Sequence, residues 1–80
     1  MKEEILEALN LVKTGNWNDA HQIAQSQEGE PDYDRLHAFL HRMEGDEWNA
    51  AYWYQRCKTK VPKISLEEEL KYLLDYFSRK

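Results

Sequence analysis

The run His37-Ala38-Phe39-Leu40-His41-Arg42-Met43-Glu44 sets two imidazoles four residues apart and a carboxylate three residues beyond the second. On a helix that spacing brings all three to one face. Imidazole nitrogens and carboxylate oxygens are the donors that zinc and other divalent ions accept. A third histidine, His21, follows Trp17 by four residues and Ala20 by one, at the border of an apolar stripe on a preceding segment. If the two segments pack together, His21, His37, His41 and Glu44 form a candidate site for a divalent metal such as zinc. The same residues also have a plainer use. In the H-E-x-x-H motif a glutamate follows the first histidine as general base, and here Ala38 stands in that place. A histidine at a helix interface commonly donates one hydrogen bond to a carbonyl or carboxylate and does nothing further, and Arg42 and Glu44 could make ion pairs that lock a hairpin.

Trp48, Tyr52, Trp53 and Tyr54 form a second cluster. They span more than one helical face, so one core cannot hold all of them. Ala50 and Trp53 are expected to point inward with Cys57, while Trp48 and Tyr52, four apart, make a stripe of their own. Left exposed, such a pair suits an interface, because aromatic rings bury much area at little entropic cost. The alternative is that a C-terminal helix covers the pair with Leu66, Leu70, Leu73 and Tyr76. The surface that could take a partner is therefore Trp48, Tyr52 and Trp53 together with His37 and His41.

Other chemistry finds little support. Ser26, Ser65 and Ser78 have no adjacent acid or histidine signature, and three glycines make no phosphate-cradling loop. Eleven basic residues against fifteen acidic ones give a net charge of −4. The short basic stretch Arg56 to Lys63 is answered by Glu67-Glu68-Glu69, so binding to a nucleic-acid backbone is not expected. The glutamates Glu3-Glu4 and Glu67-Glu68-Glu69 read as solvated helix starts that complement the helix dipole. A single cysteine excludes an internal disulfide and fits a reducing compartment. The N-terminal MKEEILEALNLVK is acidic where an export signal would be basic, and no apolar run approaches a membrane span. These features lead to the expectation of a soluble cytoplasmic protein.

The elements that must position these residues are helical throughout. With 80 residues there is room for one small domain and one modest core, and association is a fair way to add stability. Ile5, Leu6, Leu9 and Val12 predict a first helix over residues 2–14, closed by Gly15. Asn16 is expected to cap a second, with Trp17, Ala20 and Ala24 facing inward to about Gln27. Gly29-Glu30-Pro31-Asp32 breaks the chain. Pro31 opens a third helix whose apolar face is Leu36, Phe39, Leu40 and Met43 and which ends at Gly45. Asp46 caps a fourth, to about Lys58, and Val61-Pro62 breaks the chain again. Ser65-Leu66-Glu67-Glu68 is a capping-box pattern for a fifth helix with Leu66, Leu70, Leu73 and Phe77 on its buried face.

Two of the corners repeat. GNWNDAHQIAQ from Gly15 and GDEWNAAYWYQ from Gly45 align without a gap, pairing Gly15 with Gly45, Asn16 with Asp46, Ala20 with Ala50 and Gln25 with Gln55. Each copy fits a helix hairpin in which glycine ends one helix, Asn or Asp caps the next, and alanine lets the backbones approach. This grammar resembles that of tetratricopeptide repeats over residues 6–58, with a shorter period than usual. The resemblance implies stacked hairpins, a capping C-terminal helix and a peptide-binding concave face. A longer stretch, Ala20-His21 followed by H-x-x-x-H-R-x-E-G-D-x-x-N-A-x-Y-W-Y from His37 to Tyr54, resembles a group of small, mainly bacterial, all-helical proteins. Cys57 departs from the alanine expected there, and the resemblance implies no particular activity.

The expectation is thus an all-α single domain over 1–80: five helices, two tetratricopeptide-like hairpins plus a C-terminal capping helix. Its leading function is a non-enzymatic interaction or assembly module that binds a protein or peptide, or a second copy of itself as a homodimer, with neither nucleic acid nor membrane as partner and no required cofactor. The alternative is a divalent-metal-binding or metal-dependent hydrolytic protein using His21, His37, His41 and Glu44. The balance leans away from an enzyme. The two readings part on one feature, whether the three histidines converge on one solvent-reachable point.

Overall fold

The computed structural model describes residues 2–79 and contains five helices: α1 (Glu3–Lys13), α2 (Trp17–Gln25), α3 (Pro31–Met43), α4 (Glu47–Arg56) and α5 (Leu66–Arg79). No strand occurs among the described residues. α1 packs on α2, α3 on α4, and α2 on α3, so the first four helices form two consecutive hairpins in contact. α5 runs back against α1 and α3. Ile5, Leu9 and Val12 of α1, Ala20 and Ala24 of α2, Leu36, Phe39 and Leu40 of α3, and Leu73 and Phe77 of α5 make the main core. A smaller cluster of Ala38, Ala50, Trp53 and Tyr54 joins α3 to α4.

The two repeated corners close in the same way. Asn16 N–H donates to the Leu11 carbonyl at 2.9 Å and Gly15 N–H to Val12 at 3.1 Å; Asp46 N–H donates to His41 at 2.9 Å and Gly45 N–H to Arg42 at 3.1 Å. This crossed pair of bonds consumes carbonyls that the last helical turn leaves free, and it needs a left-handed residue at the corner. Gly15 and Gly45 supply it, with φ of 84° and 81°. Ala20 and Ala50 are both buried, as the repeat requires.

The capping differs. The Asp46 carboxylate accepts from the Asn49 backbone N–H at 3.2 Å and from its side-chain amide at 2.6 Å. Asn16 makes no side-chain cap; its amide donates instead to the Thr14 hydroxyl. The expected cap at Asn16 is therefore absent, and α2 and α4 each end about two residues earlier than their periodicity suggests. The capping box at α5 forms on both sides: Glu68 N–H donates to Ser65 Oγ and Ser65 N–H to Glu68 Oε1, each at 3.1 Å.

On α5 the buried face is shifted from the expected one. Leu66 is exposed and Leu70 half-buried, while Glu69, Leu73 and Phe77 are buried. These three stand at successive i, i+4 positions, so Glu69 shares the core face and is not a solvated glutamate. It is held there by charge pairing: Arg35 Nη1 donates to Oε2 at 2.9 Å, Arg42 Nη1 to Oε1 at 2.6 Å and the Tyr54 hydroxyl to Oε2 at 2.5 Å. Arg42 also donates to the Ile64 carbonyl. Three helices thus converge on one carboxylate, and α5 is clasped to α3 and α4. Among the described residues no helix is long and apolar enough to cross a membrane.

A three-histidine candidate metal site

α3 presents two polar faces. Arg35 and Arg42 face α5, and His37 and His41, one helical turn apart, face α2. α2 brings His21 to them because Trp17, one turn before it, is anchored: its indole Nε1–H donates to the Leu40 carbonyl at 2.8 Å. The Leu40 carbonyl, in the last turn of α3, also accepts from the Glu44 N–H at 3.3 Å, so the indole takes its second lone pair and fixes where α2 begins against α3. The Trp17 ring then stacks on His21, centroids 4.6 Å apart and planes 18° from parallel.

One ring nitrogen from each of His21, His37 and His41 lies within 4.8 Å of the others. The Nε2 atoms of His21 and His37 are 3.0 Å apart. That separation fits one shared proton, and it is also close to the spacing of about 3.3 Å between two nitrogens bound tetrahedrally to one zinc ion. His37 is 2% exposed, and its ring is held between Trp53, at 4.0 Å and 17°, and His41, at 4.9 Å and 22°. His21 and His41 are only half-buried, so part of each residue stays in contact with solvent.

Electrostatics keep the His21 and His37 rings neutral. Burial, then the charges of His21, His41 and Arg56, pushes the His37 pKa from its ordinary 6.5 down to about 4. His21 is lowered as well, first by burial and then by His41, against a smaller opposing effect of Glu44. At neutral pH both rings offer lone pairs, the form a metal requires.

His41 is oriented differently. Its Nδ1 lies 2.9 Å from Glu44 Oε1 and 3.9 Å from Asp46 Oδ2. An ionised carboxylate only accepts, so Nδ1 carries a proton, and in the neutral ring Nε2 is left with the lone pair. A carboxylate holding the far nitrogen of an imidazole is the usual support of a metal-bound histidine. Glu44, expected with the three histidines, groups with His41 and Asp46 and is not in the mutually close set that contains His21 and His37. His37 has no such support. Among the described residues its buried Nδ1 has no hydrogen-bond partner, and the ring is positioned by stacking and by the contact of its Nε2 with His21.

The aromatic surface is also revised. Trp53 is buried against His37, so neither of these belongs to an exposed binding face, and His41 turns toward the cluster. Trp48 and Tyr52 remain exposed, at 78% and 43%, because α5 packs on α1 and α3 and does not cover them. Cys57 is half-buried. The rings of Trp17 and Trp53 as walls of the histidine cluster were not anticipated, although Trp17 at i, i+4 before His21 was a readable signal.

No family model matches the chain, and neither does any curated protein or solved structure.

Proposed function

We propose that this protein binds a divalent metal ion, zinc being the best match, through His21, His37 and His41. The observation that carries this reading is the convergence of the three rings, with His21 and His37 Nε2 at 3.0 Å and a nitrogen of each ring within 4.8 Å of the others. Three further features support it. His37 is neutral at physiological pH, Glu44 orients His41, and aromatic rings stack on His21 and His37. A set of imidazoles alone suits zinc and other borderline ions better than calcium or magnesium, which take oxygen donors.

Native mass spectrometry of protein purified without chelators tests this. One divalent ion per chain is expected, absent from His21→Gln and His37→Gln. Trp17 and Trp53 lie on two of the ligands, so their fluorescence is expected to change as zinc is added. A chain that gains no mass in equimolar zinc and shows no fluorescence change would sink the reading.

A second reading rests on a separate observation, the exposed Trp48 and Tyr52, which with Ala51 and Gln55 line a shallow groove on α4. Together with the tetratricopeptide-like grammar of the hairpins, it supports a role in binding a protein or peptide, or a second copy of the chain. Trp48→Ala would then reduce association seen in the same spectra while leaving the metal increment in place.

A further inference from the structure

Resting on the metal-binding reading above, we propose that the ion is held by three protein ligands only and keeps one position open for a small anionic ligand, a carboxylate or hydroxide. Four protein ligands close a structural zinc site, whereas three leave a place for water or substrate. Among the described residues, the mutually close set that contains His21 and His37 is three nitrogens, and the carboxylates of Glu44 and Asp46 group with His41 only. The other donors nearby in sequence are engaged elsewhere. Glu44 accepts from His41 Nδ1, Asp46 caps α4 through Asn49, and the Cys57 thiol points to the Tyr54 carbonyl and the Thr59 hydroxyl.

Charge and access select the ligand class. Three neutral imidazoles leave the double charge of the ion unbalanced at the first shell, so an anionic donor gains more there than a neutral one. His37 is enclosed, but His21 and His41 keep part of their surface in solvent, with 12% of the His41 side chain exposed. A small ligand can therefore reach an ion held among them, and the Trp17 and Trp53 rings stacked on His21 and His37 restrain those two ligands from rearranging to exclude it. A bound water in that position would ionise more readily than bulk water, which is the chemistry an open zinc position supplies.

The test uses cobalt(II) in place of zinc, because its visible absorption reports coordination number and ligand type. The full chain is loaded with cobalt and titrated with azide, then with acetohydroxamate. The expected result is a visible spectrum that is absent from His37→Gln and whose bands shift saturably with each anion. An intense four-coordinate spectrum that neither anion moves would overturn the open position while leaving metal binding intact. If Glu44→Ala then becomes responsive to azide, Glu44 is the fourth ligand, and the proposal is equally overturned. Failure to take up cobalt at all would overturn the metal-binding reading, and this inference with it.

Discussion

Two polar clusters share helix α3, and they are built on opposite terms. On the face toward α5, the Glu69 carboxylate is fully buried but receives donors from Arg35, Arg42 and Tyr54. Each partner is complementary in charge or hydrogen-bonding sense, and burial together with the bond to Glu69 pushes the Tyr54 pKa up, which keeps its hydroxyl a donor. On the face toward α2, three histidines meet with like chemistry. Two Nε2 atoms face one another, and the buried His37 Nδ1 has no partner. A buried polar group normally finds its partner, and the exceptions call for an explanation. The first cluster is complete as a clasp for the fold; the second is not, and under the proposed metal reading an ion would take the place of the proton shared by the two Nε2 atoms while His37 Nδ1 stays without a partner.

The largest expected effect tests the clasp. Glu69→Ala leaves two arginines facing a buried space without their anion, and breaking a buried pair in this way costs roughly 3–5 kcal/mol. Urea unfolding measures it, and in a domain this small the loss is a large share of the total stability. A cost below about 1 kcal/mol would mean that the arginines find water instead, and the contrast between the clusters would fail.

The second prediction concerns the histidines in metal-free protein. Burial holds His37 neutral, so the unfolded chain takes up its proton near pH 6.5 while the folded chain resists until about pH 4. The unfolded state binds more protons between those values. Stability is therefore full above about pH 6.5 and falls as the pH drops toward 4, by roughly 3 kcal/mol if the whole shift is realised. Zinc at a hundredfold excess over its dissociation constant is expected to add about 2.7 kcal/mol at neutral pH, and to lose that effect as protons compete for the rings. His37→Phe keeps the stack on Trp53, removes the orphan nitrogen and abolishes metal binding. Its acid slope should flatten in thermal melts; an unchanged slope would assign the acid sensitivity elsewhere.

How far the sequence foretold these clusters depends on whether the signal was local. Helix boundaries were legible because Gly15, Gly45, Pro31 and the Ser65 capping box act within a few residues. His37 and His41 were legible as a pair for the same reason. His21 required knowing that α2 packs on α3, a long-range fact that the repeat suggested without fixing. Glu69 was misread because a run of three glutamates at a helix start ordinarily faces water. Its spacing to Leu73 and Phe77 carried the contrary signal, but the partners that make burial tolerable, Arg35, Arg42 and Tyr54, come from two other helices. A buried charge can be recognised on its own helix, but its neutralisation cannot.

The smallest effect marks where the histidine cluster ends. Asp46 lies 3.9 Å from His41 Nδ1, yet its carboxylate is already spent on Asn49, whose two hydrogen bonds hold its pKa below the ordinary carboxylate value. If capping is its whole role, Asp46→Ala lowers Tm by roughly 4–8 °C and Asp46→Ser restores most of that, since a serine hydroxyl can accept from the same N–H. Asn16→Ala, at the matching corner where no side-chain cap forms, should leave Tm nearly unchanged. Zinc affinity separates the roles. It should be the same in Asp46→Ser as in the parent chain, whereas a tenfold loss would make Asp46 a second support of His41 beside Glu44 and extend the site into the corner of the second hairpin.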